Sequence, residues 1–212
     1  MIEHFLSALH FPMPDWPEDL RNALLRDARD GARALLGTIL VRGDRRARIV
    51  EAEAYRNSDD PGSHAHRRLT PRNAPMFERP GLAYAYFTYG NHWMLNVAAH
   101  PDGEGAAVLI RAAQPLHGLA TMRPLRPLAR RDEDLLSGPG KLAAAFEVRG
   151  EDSRLDLLDP SSALHLEPGP PARNILTGVR IGMSPGKGDL FEWRYVDADA
   201  LRWVSRPLPR ME

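Results

Sequence analysis

Two strand patterns separated by a tight turn constrain the fold of this chain more than any other feature. The first is Leu82–Tyr89, the second is Trp93–Ala98, and Gly90 and Asn91 lie between them. Glycine and asparagine readily adopt the positive φ angles that a short hairpin turn requires. The sequence therefore predicts an antiparallel β-hairpin in the middle of the chain.

Further strands and a few helices are predicted around this hairpin. The strand patterns are Thr38–Arg42, Arg48–Tyr55, Ala106–Ala112, Gly178–Met183, Phe191–Val196 and Leu201–Val204. The helical patterns are the apolar stripe from Leu20 to Leu36, with Asp15 as its N-cap, and the segments Pro115–Met122 and Lys141–Val148. Residues 1–18 are expected to form an irregular arm, and residues 56–80 and 151–174 are expected to form long loops.

Strands outnumber helices in this pattern, and consecutive strands are close enough to pair as hairpins. We expect an α+β fold, a single mixed domain over residues 1–212 with a largely antiparallel, curved sheet and flanking helices. No stretch reaches the roughly 20 apolar residues that cross a bilayer, and the N-terminus does not resemble a secretory signal. A cytoplasmic location is the resulting expectation.

Composition excludes several kinds of chemistry. The chain has no cysteine, which excludes disulfides, iron–sulfur clusters, thiolate zinc sites and a thiol nucleophile. Its only lysines are Lys141 and Lys187, both in glycine-rich loops, so catalysis through a lysine amine is not expected. The formal net charge of zero argues against indiscriminate binding of polyanions but allows a local basic face.

An acidic residue and several tyrosines indicate where chemistry could occur. Glu53 and Tyr55 alternate on one predicted strand, and Tyr84 and Tyr86 alternate on another, so each pair points to one side of its strand. An aromatic pocket with a carboxylate at its floor suits a flat, electron-poor guest such as a nucleobase. From these residues alone, Glu53 could equally be a solvated residue or an arginine partner, and the tyrosines could be core aromatics.

Six segments together resemble the alkyladenine (3-methyladenine) DNA glycosylase family, whose single-domain members remove alkylated purines from DNA. The segments are Arg48–Tyr55, Thr70–Asn73 with Met76 and Phe77, Tyr84–Gly90, Asn96 with Val97, Val108–Ala112 and Ser137–Leu142. In order and approximate spacing they cover about positions 30 to 205. Each segment alone is weak, but six in register make a chance match very improbable.

The resemblance implies a catalytic set. Glu53 would activate the attacking water, Arg111 would help to hold that water, and the backbone carbonyl of Ile181 would contact it from a late strand. Glu51 is a rival carboxylate, and its charge would disfavour ionised Glu53 unless Arg48 or Arg111 compensates. Arg111 could alternatively form a purely structural salt bridge.

The resemblance also implies a base pocket. Tyr55 and Tyr86 would sandwich the extruded base with His64 at its edge, and Asn96 would help to reject normal guanine. Tyr89, at the hairpin tip, would be the wedge that fills the gap left by the flipped nucleotide. The alternatives are a surface aromatic at Tyr89 and a satisfied buried amide at Asn96. His64 and His66 make only half a metal site, so no metal is expected.

Phosphate contacts are expected from two further segments. Arg67, Arg72 and Asn73 follow the catalytic strand in a loop rich in arginine, and a second candidate group opens a predicted helix: Gly138, Gly140 and Lys141. A charged loop can also be merely solvated, and a glycine- and proline-rich segment can be merely a helix start.

The resulting hypothesis is a monofunctional DNA glycosylase that flips out an alkylated or deaminated purine, hydrolyses its N-glycosidic bond and initiates base excision repair. Candidate lesions are 3-methyladenine, 7-methylguanine, hypoxanthine and ethenoadenine. The partner of this enzyme would be duplex DNA that contains a damaged purine. The enzyme would need no cofactor, metal or membrane, and it would act as a monomer near the nucleoid. Two alternatives remain at this point: a non-catalytic damage-recognition domain, and an enzyme that acts on free nucleosides or RNA.

Overall fold

The computed structural model describes residues 18–88, 90–100 and 104–208. Residues 1–17 of the expected irregular arm, including the predicted helix N-cap Asp15, lie outside the described residues, as does the wedge residue Tyr89. Glu18, the last residue of the predicted arm, instead begins the first helix. The fold class is confirmed, because one curled antiparallel sheet is flanked by helices in a mixed α+β arrangement.

The described residues form a sheet of eight antiparallel strands. They are β1 Ile39–Arg42, β2 Arg45–Tyr55, β3 Ala83–Thr88, β4 His92–Ala98, β5 Ala107–His117, β6 His165–Glu167, β7 Ile175–Gly178 and β8 Arg194–Asp197. Their order is β3-β4-β5-β2-β1-β6, and β8 pairs with both β2 and β7. The predicted hairpin is confirmed as β3 and β4, which pair from Ala83 with Val97 to Thr88 with His92.

The predicted N-terminal stripe forms two helices rather than one, α1 Glu18–Arg26 and α2 Ala28–Leu35. Asp27 separates them in an extended conformation, and its carboxylate accepts a hydrogen bond from the backbone N–H of Arg29 at 2.7 Å. An aspartate at this position is a favourable N-cap, so it starts a new helix within the apolar stripe.

The described part of the chain contains three further α-helices, α3 Leu119–Leu125, α4 Glu133–Leu136 and α5 Pro139–Ala145. The predicted helix Pro115–Met122 is wrong in its first turn, because β5 continues to His117 in pairing with Arg46 and Ala47 of β2. Pairing with a neighbouring strand overrides the local preference here.

The predictions for the C-terminal third need correction. Short strands form at Ile175–Gly178 and Arg194–Asp197, whereas 179–183 is not a strand. The segment Ala198–Trp203 is a 3₁₀ helix, where a strand was predicted at Leu201–Val204. The strand His165–Glu167 lies within a segment that was predicted to be a loop.

The main apolar core lies between one face of the sheet and the helices. It includes Leu24 and Leu35 from α1 and α2, Ala52 and Ala54 from β2, and Phe146 after α5. Alternation along β2 therefore leaves its other face for different side chains. Within the described ranges, no helix is long and apolar enough to span a membrane.

Candidate active site

The face of β2 opposite the main core carries two carboxylates. Glu51 and Glu53 are both 0% exposed. At Glu53, β2 has strands on both edges, since Glu53 pairs with Leu109 of β5 and with Arg194 of β8. Both acids therefore lie in the interior of the sheet, where ionised groups require partners.

Arg111 reaches these carboxylates because the sheet is irregular beside it. Along the β2–β5 ladder, Glu51 pairs with Ala112 and Ala52 pairs with Ile110, so Arg111 has no partner residue on β2. Such a bulge bends a strand and re-aims a side chain. Arg111 donates from Nε to Glu51 at 3.1 Å and from Nη1 to Glu53 at 3.0 Å.

Three groups from the described part of the chain donate to Glu53. The backbone N–H of Ile181 donates to Oε1 at 2.7 Å, and the Tyr55 hydroxyl donates to Oε2 at 2.9 Å, beside Arg111. The predicted neighbourhood of Glu53, Arg111 and Ile181 is thus present. Ile181 lies in a turn after β7 rather than in a strand, and its N–H contacts the carboxylate.

Glu51 anchors the other side of Arg111. Its Oε1 also accepts from Arg194 Nε at 2.7 Å and from Ser205 Oγ at 2.8 Å, and its Oε2 accepts from the backbone N–H of Ser205 at 2.6 Å. Arg111 and Arg194 therefore balance the two acids. Arg48, the other predicted counter-charge, instead pairs with Asp197 at 2.6 Å. Burial opposes the charge of Arg111, but Glu53 and Glu51 raise its pKa above the usual value.

A cavity of about 460 Å³ lies above this buried network. Its walls come from β3, β4, β5, the loop after β2 and the turn after β7. The lining residues include Tyr55, His64, Tyr84, Tyr86, Asn96, Arg111, Pro139, Ile181, Met183 and Lys187. All three donors to Glu53 belong to the lining, so the carboxylate lies directly beneath the cavity floor. The volume is within the range of small-molecule pockets, roughly 300–1,000 Å³.

Tyr84 and Tyr86, which the alternation on β3 predicted to share one side of the strand, form one aromatic wall of the cavity together with His64. The Tyr84 and Tyr86 rings are 5.2 Å apart, and the His64 ring meets Tyr86 edge-on at 4.7 Å. His64 Nδ1 lies 2.8 Å from the Tyr84 hydroxyl. Burial and the nearby Arg72 lower the pKa of His64, and burial raises the pKa of Tyr84.

Tyr55 connects the aromatic cavity to the acid. Its ring lines the cavity and its hydroxyl contacts Glu53, while the Arg180 guanidinium lies 4.5 Å from the ring centroid. Burial, and then the charge of Glu53, raise the pKa of Tyr55 well above its usual value. The hydroxyl therefore stays protonated and serves as a donor.

Asn96 lies on β4 and lines the cavity from a buried position, 4% exposed. Its amide donates to the backbone carbonyl of Tyr84, its cross-strand neighbour, at 3.0 Å. Asn96 is therefore both a hydrogen-bonded amide within the sheet and a residue of the cavity wall.

The arginine-rich loop does not present all its predicted phosphate contacts to solvent. Asn73 is 3% exposed, and its amide bonds to the carbonyls of His64 and Arg68 and to Thr70. Its side chain has no free group for a phosphate, so the prediction for Asn73 needs correction. Arg72 packs over the Tyr86 ring at 5.3 Å. Arg67 is exposed.

The second predicted phosphate segment borders the cavity through Pro139. Gly138 precedes α5 with φ of +150°, a conformation that is essentially restricted to glycine. A Cβ at Gly140 would lie 3.0 Å from the His92 ring, so the helix start and the β3–β4 hairpin approach closely. Lys141 Nζ bonds to Ser137 Oγ at 3.1 Å.

Several residues of the site were not predicted. Met183 and Lys187 line the cavity from the turn after β7, and Arg180 and Asp60 form an ion pair behind it. Lys187 alone had a possible signal, as one of two lysines in the chain. Within the described ranges, no three histidine, aspartate or glutamate side chains group as a metal site.

The fold and the site together place an aromatic-lined cavity above a buried acid. Residues 22–200 match the model of the family described as Methylpurine-DNA glycosylase (MPG). The chain belongs to this family of DNA glycosylases, as its sequence motifs predicted.

Curated relatives agree with this assignment over most of their length. A protein of Burkholderia lata is 43% identical over 204 residues, 94% of this chain and 97% of that protein. A protein of Rhodopseudomonas palustris is 42% identical over 185 residues, 87% and 86% of the two chains. A protein of Methanocella arvoryzae is 40% identical over 193 residues, 89% and 94%. Each bears the name "Putative 3-methyladenine DNA glycosylase".

Proposed function

We propose that this protein is a monofunctional glycosylase that rotates a damaged purine out of duplex DNA and hydrolyses its N-glycosidic bond. The observation that carries the proposal is the buried Glu53 carboxylate beneath an aromatic cavity, held by three donors that all line that cavity. The names of the relatives support 3-methyladenine as a substrate. We include 7-methylguanine, hypoxanthine and ethenoadenine in the proposal.

Glu53 is the proposed general base. An ionised carboxylate offers about four lone-pair positions, and the described donors occupy one on Oε1 and two on Oε2. Oε1 is therefore the oxygen that can accept a proton from a water held beside Arg111 and Ile181. The same negative charge opposes the positive charge that develops at C1′ as the base leaves.

Aromatic stacking is the proposed source of base binding. Tyr55 and Tyr86 line the cavity, and stacking contributes about 1–3 kcal/mol per base, against an extrusion cost of a few kcal/mol. His64 would contact the edge of the base, and Asn96 would exclude normal guanine. Methylated purines that already carry a positive charge depart without a proton donor.

DNA backbone contacts are proposed for the exposed Arg67 and for the segment that opens α5, including Lys141. Tyr89 is proposed, from its position in the sequence, to fill the gap in the duplex. We propose that the protein acts as a monomer on cytoplasmic DNA and so initiates base excision repair.

The test compares Glu53→Gln with the wild-type protein on a duplex that contains one 3-methyladenine or one hypoxanthine. Strand cleavage by alkali reports the abasic site. We expect wild-type release, and in the variant a rate at least about 100-fold lower with binding retained, because general bases contribute about 10²–10⁴-fold.

Glu167→Gln is the matched control, since this glutamate also lies on a strand and pairs with an arginine, Arg46, away from the cavity. Its rate should equal that of the wild type. Wild-type release by Glu53→Gln, or no release from either lesion by the wild-type protein, would refute the proposal. Competition with tRNA and free nucleosides tests the preference for duplex DNA.

A further inference from the structure

A buried ion pair behind the cavity joins two segments that line it. Arg180 donates from Nη1 and Nη2 to the two oxygens of Asp60, both at 2.7 Å, and both side chains are 0% exposed. We propose that this pair is a positioning device that holds Tyr55 and Glu53 in their catalytic arrangement. The expected effect on the rate of base release rests on the proposed function.

The pair fixes both segments through backbone contacts as well. Asp60 accepts hydrogen bonds from the backbone N–H groups of Arg56 at 3.0 Å and Gly62 at 3.1 Å, which shape the loop after β2. Arg180 donates to the carbonyls of Ala54 at 3.0 Å and Gly188 at 3.2 Å. One guanidinium therefore contacts β2, the loop after it and the turn after β7.

The two segments approach each other closely at this point. A Cβ at Gly62 would lie 2.1 Å from Met183 Cε and 2.5 Å from the carbonyl oxygen of Lys187. All three residues line the cavity. A displacement of either segment would therefore change the shape of the cavity.

Two of the three donors to Glu53 adjoin Arg180, one along the chain and one in space. Ile181, whose N–H contacts Oε1, is the next residue in the chain. Tyr55, whose hydroxyl contacts Oε2, presents its ring 4.5 Å from the guanidinium. Phe191 and Trp193 also lie within 6 Å of this guanidinium, at 5.7 and 5.2 Å, and confine it. Arg180 is therefore placed to fix the ring that would stack on the base and the acid that would activate water.

Stability alone explains the pair poorly. Replacing a buried ion pair by apolar residues of similar volume is often neutral or stabilising. Arg180 Nε is buried, and within the described part of the chain it has no hydrogen-bond partner, which is an additional cost. A buried pair with such a cost is better explained by the geometry that it imposes.

The experiment compares Asp60→Asn with Asp197→Asn in the full chain. Both aspartates are buried, pair with one arginine and accept at least one backbone N–H. Asp60 bonds to Gly62 and Arg180 packs on Tyr55, and both of these partners line the cavity, whereas Asp199 and Pro170, which bond to Asp197 and Arg48, do not. Asparagine keeps the size of aspartate and leaves the guanidinium without its counter-charge.

The first readout is single-turnover base release, measured below the melting temperature of each variant. We expect Asp60→Asn to lower the rate by about 100-fold, the effect of a displacement of about 1 Å at a reacting site. Affinity for a duplex with an abasic-site analogue should stay within about twofold, because phosphate contacts dominate it. Asp197→Asn should leave both quantities at wild-type values.

The second readout is the fluorine NMR spectrum of protein labelled with 3-fluorotyrosine. The Tyr55 line, assigned by its loss in Tyr55→Phe, should shift in Asp60→Asn and remain in place in Asp197→Asn. If Asp60→Asn does not fold, Arg180→Lys replaces it. Lysine retains the charge but cannot bind both carboxylate oxygens in one plane, so the same rate loss and line shift are expected.

Wild-type base release by a folded Asp60→Asn or Arg180→Lys protein would overturn the inference. A failure of the positioning role can be distinguished from a failure of the proposed function. If the wild-type protein released no base, the proposed function would fail, and an unmoved Tyr55 line in both variants would then overturn the positioning role independently.

Discussion

Replacement of Glu51 by glutamine probes the charge balance beneath the cavity. Glutamine has the shape of glutamate, so the substitution removes a charge without opening a void. In the native network, Glu51 and Glu53 face Arg111 and Arg194, and all four residues are at most 6% exposed. After Glu51→Gln, two buried guanidinium groups would share one carboxylate.

The expected loss of stability is large. Removal of one partner from a buried ion pair costs about 3–5 kcal/mol. The total free energy of unfolding of a domain is about 5–15 kcal/mol, so this loss is a substantial fraction of it. At about 2–4 °C per kcal/mol for a chain of this size, we expect the melting temperature to fall by about 6–20 °C.

The assay is thermal unfolding followed by circular dichroism, with a double-mutant cycle. Arg194→Gln alone leaves the carboxylates with too little positive charge, whereas Glu51→Gln combined with Arg194→Gln restores the balance. The double variant should therefore lose about 1–3 kcal/mol less than the sum of the single variants, as expected for groups in one network.

Two results would contradict this reasoning. One is a melting temperature of Glu51→Gln within about 2 °C of the wild type, which corresponds to less than about 1 kcal/mol. The other is additivity of the two single losses. Either result would mean that Glu51 does not act as the counter-charge of Arg111 and Arg194.

Three smaller changes test other parts of the site. Asn73→Ala should lower the free energy of unfolding in urea by about 1–3 kcal/mol, because it leaves buried backbone groups unpaired; a change below about 0.5 kcal/mol would contradict its bonded role. The NMR titration midpoint of His64 should lie below 6.5 and rise in Arg72→Gln, since burial and then the Arg72 charge lower this pKa. Because the folded state resists protonation of His64, the contribution of this histidine to stability is present above pH 6.5 and is lost as the pH falls. An unchanged titration midpoint of His64 in Arg72→Gln would exclude the effect of the Arg72 charge. Gly138→Ala should cost about 1–3 kcal/mol from backbone strain at its positive φ, measured by urea unfolding, and a neutral result would show that the backbone relaxes.

The local sequence pattern was sufficient to predict the hairpin and the strand that carries Glu53 and Tyr55. Both depend on alternation and turn chemistry within about ten residues. The same reasoning failed at Pro115–His117, where pairing with β2 extends β5 against the local signal. It also missed the new helix start at Asp27, because the apolar stripe continues across the break.

The immediate surroundings of Glu53 were predictable only in part. The resemblance indicated Arg111 and Ile181, but not the bulge that aims Arg111 or the N–H that Ile181 presents. Asp60 and Arg180 are 120 residues apart in sequence, and neither has a distinctive local context. Their partnership follows from the path of the chain, which periodicity and composition do not specify.

The position of β2 between neighbours on both edges fixes the backbone from which Glu53 projects. The turn after β7 supplies one of the three donors to that carboxylate, and the Asp60–Arg180 pair joins this turn to the loop after β2. A redesign of either segment would therefore do best to keep Asp60, Arg180 and Ile181, because under the proposed positioning role they hold the acid in place. Other side chains that line the cavity from these segments, such as Lys187, are the better positions to vary.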